Sequence, residues 1–413
     1  MPAFMKSITS LSWPGLLLLL CGCTTSGVMQ QAHWQFLSGN ATAAVNTLAS
    51  SDEVASKDRL LYWLEKGMYL HYAGDYQRSS QELLKAANYL QQSDYISLSD
   101  EARELLANEW ASSYRGEYSE QLWIHSVLMM NFLHMGQYES AAVEARRALE
   151  VMDSRSDILK HDHFTRALIA LSFETAEQLN DAYIVNRKLA DDSQSSALNT
   201  VLFKQASALG FTNQAAELQQ LNNTADDAQI KSPNSAVLFI AGGQVPQKFS
   251  GSLVTTEFSR LAFPQYTFAA SRPGPLSILI NGVPCRQCET ISSDLGELVN
   301  DSLNKRGATL ATKALIRAAA KDAVADAAGD ADELVGELTR LLLFALEEAD
   351  TRSWRSLPRH FTLVRVPLDD NGSAQTLQIT RTTQSGTHTQ TLTIDPGKRG
   401  MQFYSLLPQQ FSQ

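Results

Sequence analysis

Residues 63–86 read WLEKGMYLHYAGDYQRSSQELLKA, and residues 125–148 read HSVLMMNFLHMGQYESAAVEARRA. In the first stretch Trp63, Gly67 and Leu70 fall at spacings of four and three, which places them on one face of a helix. Gly74-Asp75-Tyr76 then interrupts the period, and Ser79, Leu83 and Ala86 resume it. The spacing predicts a helix, a tight turn and a second helix. The later stretch follows the same plan: His125, Met129 and Phe132, the turn Gly136-Gln137-Tyr138, then Ala141, Ala145 and Ala148. Small residues at such positions let two antiparallel helices approach closely.

These spacings resemble the tetratricopeptide repeat (TPR), with Ser79 and His125 departing from its usual alanine and large aromatic. The two turn glycines stand almost two repeat lengths apart, so Ser99 to Tyr118 is expected to supply a degenerate helical pair. His163 to Ala190, and Ala197 to Leu221 with a break at Gly210, read as two further hairpins. The resemblance implies a helical solenoid over 34–221 whose concave face takes an extended peptide or a partner helix. The alternative is that the solenoid serves as a packing platform for the rest of the chain. His161-Asp162-His163 reads as a solvated helix start, because helical residues two apart point about 200° from each other and do not share a metal ion. Trp110, Tyr114, Tyr118 and Trp123 read as packing residues.

Ahead of the helices, Lys6 is the only early charge, and the apolar run Leu16 to Leu20 is too short to span a bilayer. It leads into Leu20-Cys21-Gly22-Cys23, which resembles the lipobox of bacterial lipoproteins, with Cys21 in a slot more often held by Ala or Ser. The resemblance implies a signal peptide over 1–22, cleavage before Cys23 and lipid attachment to its thiol. Thr24 rather than Asp follows the cysteine, which implies sorting to the outer membrane, facing the periplasm. Residues 23–33 are expected to form a polar tether.

Between 222 and 235 the chain turns polar, with Asp226, Asp227 and Pro233, and reads as a linker. Beyond it, 236–413 is expected to be an α+β domain with a mainly antiparallel sheet. The apolar run Ala236 to Ile240, closed by Gly242-Gly243, reads as a buried strand, and Leu253 to Thr256, Tyr266 to Ala270 and Leu276 to Ile280 as others. Asp294 to Asp350 reads as helix broken at Gly329. Arg306, Lys313, Arg317 and Lys321 form a basic stripe on it, either a solvated face or a meeting point for a lipid headgroup or acidic partner. The end reads as a meander of three hairpins from Phe361 to Leu406. Cys285 and Cys288 are expected to close a local disulfide in an oxidising compartment; a thioredoxin-type redox site is the alternative.

A formal charge of -10 argues against general nucleic-acid binding. The chain carries no Gly-x-Ser-x-Gly elbow, no His-Glu-x-x-His, no Walker loop and no dinucleotide fingerprint, so no catalytic residue, metal ligand or cofactor is nominated. Leu261-Ala262-Phe263-Pro264-Gln265-Tyr266 and Ala349-Asp350-Thr351-Arg352-Ser353-Trp354, with the lipobox and helical repeats, resemble an uncharacterised family of proteobacterial TPR-containing lipoproteins. Members are often encoded near small lipoproteins that activate penicillin-binding proteins. The resemblance implies an envelope adaptor that binds a cell-envelope protein or peptide through its repeats, linked to peptidoglycan synthesis or envelope assembly. The alternative is a periplasmic hydrolase or thiol-redox protein that uses the second domain, recruiting His360, His388 or the cysteine pair. Asp350, Arg352 and Trp354 read as a structural joint, with Trp354 plugging a sheet edge.

Overall fold

Five three-residue turns of one kind set the architecture of the helical half. The computed structural model describes residues 24–50, 54–106, 113–221, 234–256, 259–267, 274–345, 349–369, 373–383, 386–395 and 398–407. The signal peptide, Cys23, Trp110 and residues 222–233 of the expected linker lie outside the described residues. The helices are α1 (Thr24–Leu37), α2 (Ala41–Ala49), α3 (Arg59–Tyr72), α4 (Tyr76–Leu106), α5 (Tyr118–His134), α6 (Tyr138–Ser154), the single turn α7 (Ser156–Leu159), α8 (His163–Thr175), α9 (Leu179–Ser193), α10 (Asn199–Ala208) and α11 (Thr212–Leu221). The hairpins α1–α2, α3–α4, α5–α6, α8–α9 and α10–α11 each turn through a residue of positive φ: Gly39, Gly74, Gly136, Glu177 and Gly210. At the second hairpin Gly74 N–H donates to the His71 carbonyl and Asp75 N–H to that of Leu70, and the same two bonds recur at the other four turns. Each turn thus satisfies the carbonyls that a helix end leaves open.

The helices of a hairpin cross closely where the side chains are small. A Cβ on Gly67 would lie 2.7 Å from the Leu83 side chain, and Ser79 Oγ donates to the Gly67 carbonyl at 2.7 Å. In the next hairpin Ala141, Ala145 and Ala148 are fully buried. The second helix of each hairpin packs on the first helix of the next, and the first helices α3, α5 and α8 pack on each other in turn, which is the stacking of a TPR-like solenoid.

Two boundaries differ from expectation. The segment expected as a tether is helical from Thr24, because Ala32 and Phe36 are buried, with Phe36 stacked 5.3 Å from Tyr72. Among the described residues no degenerate pair follows the second hairpin: α4 runs on to Leu106, and residues 113–117 are not helical.

A buried relay ties the second and third hairpins together. His71 Nδ1 lies 2.7 Å from Asn131 Oδ1, Asn131 Nδ2 donates to Ser79 Oγ at 2.9 Å, and Ser79 Oγ donates on to Gly67.

The second half contains β1 (Ser235–Gly242), β2 (Lys248–Thr256), β3 (Ser259–Tyr266), β4 (Leu276–Ile280), β5 (Val283–Pro284), β6 (Glu289–Asp294), α12 (Leu295–Ala331), α13 (Glu333–Ala345), β7 (His360–Pro367), β8 (Gln375–Thr383), β9 (Gly386–Ile394) and β10 (Met401–Leu406). An inner sheet has the order β10-β1-β7-β6, in which only the β1–β10 pair is parallel. An outer sheet has the order β5-β4-β8-β9, and β2 and β3 form a separate antiparallel pair. The chain is an all-α TPR-like solenoid followed by an α+β region dominated by antiparallel pairing.

Every residue of β1 is buried, since both its faces are covered. Val237, Phe239 and Ala241 join the core shared with the solenoid, whereas Ala236, Leu238 and Ile240 join a second core with Ile278, Leu377 and Ile379 of the outer sheet. A strand enclosed on both faces reads as a continuous apolar run. Among the described residues the expected three-hairpin meander is not found: β7, buried over its first five residues, pairs with β1 and β6, so β7 and β8 belong to different sheets, β8 and β9 pair as a hairpin, and β10 lies parallel to β1. The long helix passes through Gly329 and breaks at Asp332, whose Oδ1 accepts from Leu334 N–H at 2.9 Å and caps α13.

The relay predicts a pH dependence. Burial pushes the His71 imidazole down to about 4, against the pull of its bond to Asn131. Between about 4 and its ordinary 6.5 the folded chain binds fewer protons than the unfolded one. The contribution is therefore present above that window and is lost as pH falls through it, at up to about 1.4 kcal/mol per unit. His71→Gln keeps a donor for Asn131 and is expected to flatten the acid limb of stability against pH, measured by urea denaturation; an unaltered slope counts against the assignment.

Candidate protein-docking surface

The face shared by the first helices of the solenoid, where the sequence places a peptide, is occupied by the inner sheet. Trp123 of α5 stacks on Phe164 of α8 at 5.4 Å and on Phe361 of β7 at 4.6 Å, and Phe164 meets Phe239 of β1 edge-on at 6.4 Å. Asp162 anchors this contact. Its carboxylate accepts from Trp123 Nε1 at 2.9 Å, from Thr165 Oγ1 at 2.7 Å, from the Thr165 N–H at 3.0 Å and from Ser293 Oγ of β6 at 2.7 Å. Asp162 does start a helix, but it is wholly buried rather than solvated, and burial pushes its carboxyl up against the pull of those donors. Among the described residues no group of His, Cys, Asp and Glu is placed to hold a metal ion.

The joint at 350–354 pins the second half to the solenoid. Arg352 pairs with Asp350 at 2.8 Å and reaches Asp58 of the solenoid at 2.8 Å. Trp354 is completely buried; its N–H donates to Glu120 at 2.7 Å and its Nε1 to Ser356 at 3.0 Å, so it fills the seam between the halves rather than a sheet edge. Nearby, Glu117 holds Lys248 of β2 and Arg306 of α12, each at 2.8 Å. Burial pushes the Glu117 carboxyl up, yet the two cations outweigh it and hold it below the usual range.

That pairing dissolves the basic stripe as a common surface. Arg306 is engaged with Glu117, Arg317 is buried, Lys321 is half-buried, and the Lys313 side chain lies outside the described set. Cys285 and Cys288 are joined in a disulfide, with Cα atoms 5.7 Å apart, between β5 and β6. His360 starts β7 of the inner sheet and His388 lies on β9 of the outer one, so the two histidines considered for a hydrolase belong to separate sheets.

A further exposed apolar surface lies on α12 and α13, the arm. α13 folds back along α12, and both helices touch β3. At their crossing Gly329 and Gly336 meet backbone to backbone: a Cβ on Gly336 would lie 2.6 Å from the Gly329 Cα. Leu334, Leu338 and Leu341, at spacings of four and three, form one face of α13 and are exposed, as are Leu315, Ile316 and Val324 of α12. Leu334 alone keeps 64% of its surface in solvent, far more than an apolar residue of a packed helix retains.

At the root of the arm lies a groove of about 610 Å³ between β3 and α12. Leu261, Phe263, Pro264, Gln265 and Tyr266 line one wall, and Leu303, Leu310 and Ala314 line the other. The phrase Leu261 to Tyr266, which the sequence marks without assigning a role, is this wall. The arm itself is legible only as two amphipathic stretches; the sequence has no signal that their apolar faces lack a partner.

No protein-family model matches the chain, and no curated protein matches it. Solved structures do resemble it. MamA residues 41 to the end from Desulfovibrio magneticus RS-1 is 17% identical, over 50% of this chain and 98% of that one, with a TM-score of 0.33. A Podospora anserina kinesin light chain with nearly identical TPR-like repeats is 15% identical, over 48% and 92%, at 0.33. The apo form of RapI is 10% identical, over 49% and 55%, at 0.35. The assignment of the repeats rests on the turns and crossings described above.

Gly336→Val places a branched side chain against the Gly329 backbone and is expected to separate α13 from α12. Hydrogen exchange should accelerate over 310–345 and stay unaltered in α5 and α8; protection retained in the arm would refute the close crossing.

Proposed function

We propose that this chain is a lipid-anchored adaptor of the cell envelope, attached to the outer membrane through Cys23, facing the periplasm, and binding a protein partner with its arm. The observation that carries the reading is the allocation of surfaces. The solenoid's shared inner face is committed to the chain's own sheet, while the arm and the groove at its root present a connected apolar surface. Such patches mark interaction sites. The rim of the arm is mainly acidic: Asp322, Asp330, Asp332, Glu333 and Glu337 are exposed around it, while Asp326 is paired with Arg340. This favours a protein that presents an apolar helix flanked by Lys or Arg, and disfavours an anionic lipid surface. The solenoid is then a platform that holds the arm at a fixed angle. A link to peptidoglycan synthesis or envelope assembly follows from the compartment and from the lipoprotein family that the sequence resembles.

Two measurements test the parts separately. Cys23→Ser is expected to abolish palmitate incorporation and release the chain from the membrane fraction; labelling that persists defeats the anchor. Leu334→Ser with Leu338→Ser and Leu341→Ser alters exposed positions only, so stability should hold while crosslinking in intact cells loses its specific envelope partner. Recovery of the same partner from the triple variant rules out the arm.

A further inference from the structure

We propose that β9 is a pairing edge for a second copy of this chain, joining two outer sheets into one continuous sheet across a two-fold axis. The inference is independent of the arm. β9 ends the order β5-β4-β8-β9, and among the described residues no strand pairs with its far side. Its residues, GTHTQTLTI, include no charge and no proline. Exposed edges in proteins that stay monomeric are usually guarded by Lys, Pro or a bulge, and the described register of β9 against β8 runs without a shift.

The backbone shows which groups face outward. The Thr376 carbonyl accepts from Asn281 N–H, and Thr382 N–H donates to the Pro275 carbonyl, so the even-numbered residues of β8 point their backbone groups toward the β4 side. The odd-numbered residues therefore bond to β9, where the register sets Leu377, Ile379 and Arg381 against Leu392, Gln390 and His388. In an antiparallel ladder bonding alternates along the strand, so Thr387, Thr389, Thr391 and Thr393 direct their N–H and C=O groups to the open edge.

A second β9 laid antiparallel and centred on Gln390 satisfies all of them. Thr387 then meets Thr393 of the second copy and Thr389 meets Thr391, both as hydrogen-bonded pairs, and no residue of the strand is left over. The threonine side chains extend a ladder already present within one chain, where Thr380 lies 2.9 Å from Thr389 and Thr382 lies 3.4 Å from Thr387 through their hydroxyls. A second observation points to the same occupant. On the opposite face of β9 the Gln390 side-chain carbonyl is buried with no hydrogen-bond partner. At the axis Gln390 faces Gln390 of the second copy as a non-hydrogen-bonded pair, where side chains come closest, and each amide supplies the donor the other lacks.

The test uses the full chain. Gln390→Cys is expected to form a disulfide-linked dimer on mild oxidation, because Cα atoms of such pairs lie within reach of a disulfide. The same substitution at Thr382, one strand inward, should not. Adding Thr389→Lys and Thr391→Lys sets like charges opposite each other across the axis and should abolish the crosslink, with circular dichroism unaltered because both side chains are exposed. Sedimentation of the unmodified chain should show a dimer that the two lysine substitutions convert to monomer. A native chain that stays monomeric, a dimer that survives the lysines, or a monomer that takes a foreign extended peptide along β9 would each overturn the proposal.

Discussion

A carboxylate with no exposed surface, Asp162, stands where the two halves of the chain meet. Burying it is costly unless every lone pair is used, and its four donors come from a helix start, a neighbouring helix and a strand of the inner sheet. Trp123 and Phe164 present ring faces to Phe361 beside it, so directional bonds and apolar area reinforce one another. Because the donors come from three separate elements, α8, α5 and β6, the site is satisfied in one relative placement of the halves. The solenoid and the sheet thus share one core.

That placement divides the molecule's surfaces. The first helices of the solenoid contribute their apolar residues inward, while Glu65, Glu117, Glu120 and Glu174 reach across to Arg355, Lys248, Trp354 and Arg365 of the second half. A foreign peptide has no access to a face so densely occupied. The groove beside β3 and the leucines of α13 take no part in this clamp. Lys248, on the strand paired with β3, and Arg306 of α12 are both gripped by Glu117 of the solenoid.

Local chemistry made part of this arrangement readable. Gly74, Gly136 and Gly210 mark their turns because a left-handed residue there favours glycine; the equivalent position at Glu177 bears a side chain, so no glycine marks that turn. The unbroken apolar run of β1 shows that the strand is enclosed. Alternation and run length reveal which faces are buried but not against which sheet, so the separation of β7 from β8 and the parallel pairing of β10 are invisible before the fold is known. His161-Asp162-His163 looks hydrophilic because the groups that bury Asp162, Trp123 and Ser293, come from distant parts of the chain. The same distance hides Glu117 from Arg306, 189 residues away, and thereby the true state of the basic stripe.

The position of β1 carries a consequence for biogenesis. It is the first strand of its sheet to be made, yet its two neighbours, β7 and β10, are among the last elements of the chain. Until they emerge, Phe239 has only Phe164 and His134 of the solenoid against it, and Trp123 lacks its contact with Phe361. The inner sheet therefore closes only when the final strands arrive, and a chain that stops short of residue 401 lacks the parallel partner of β1.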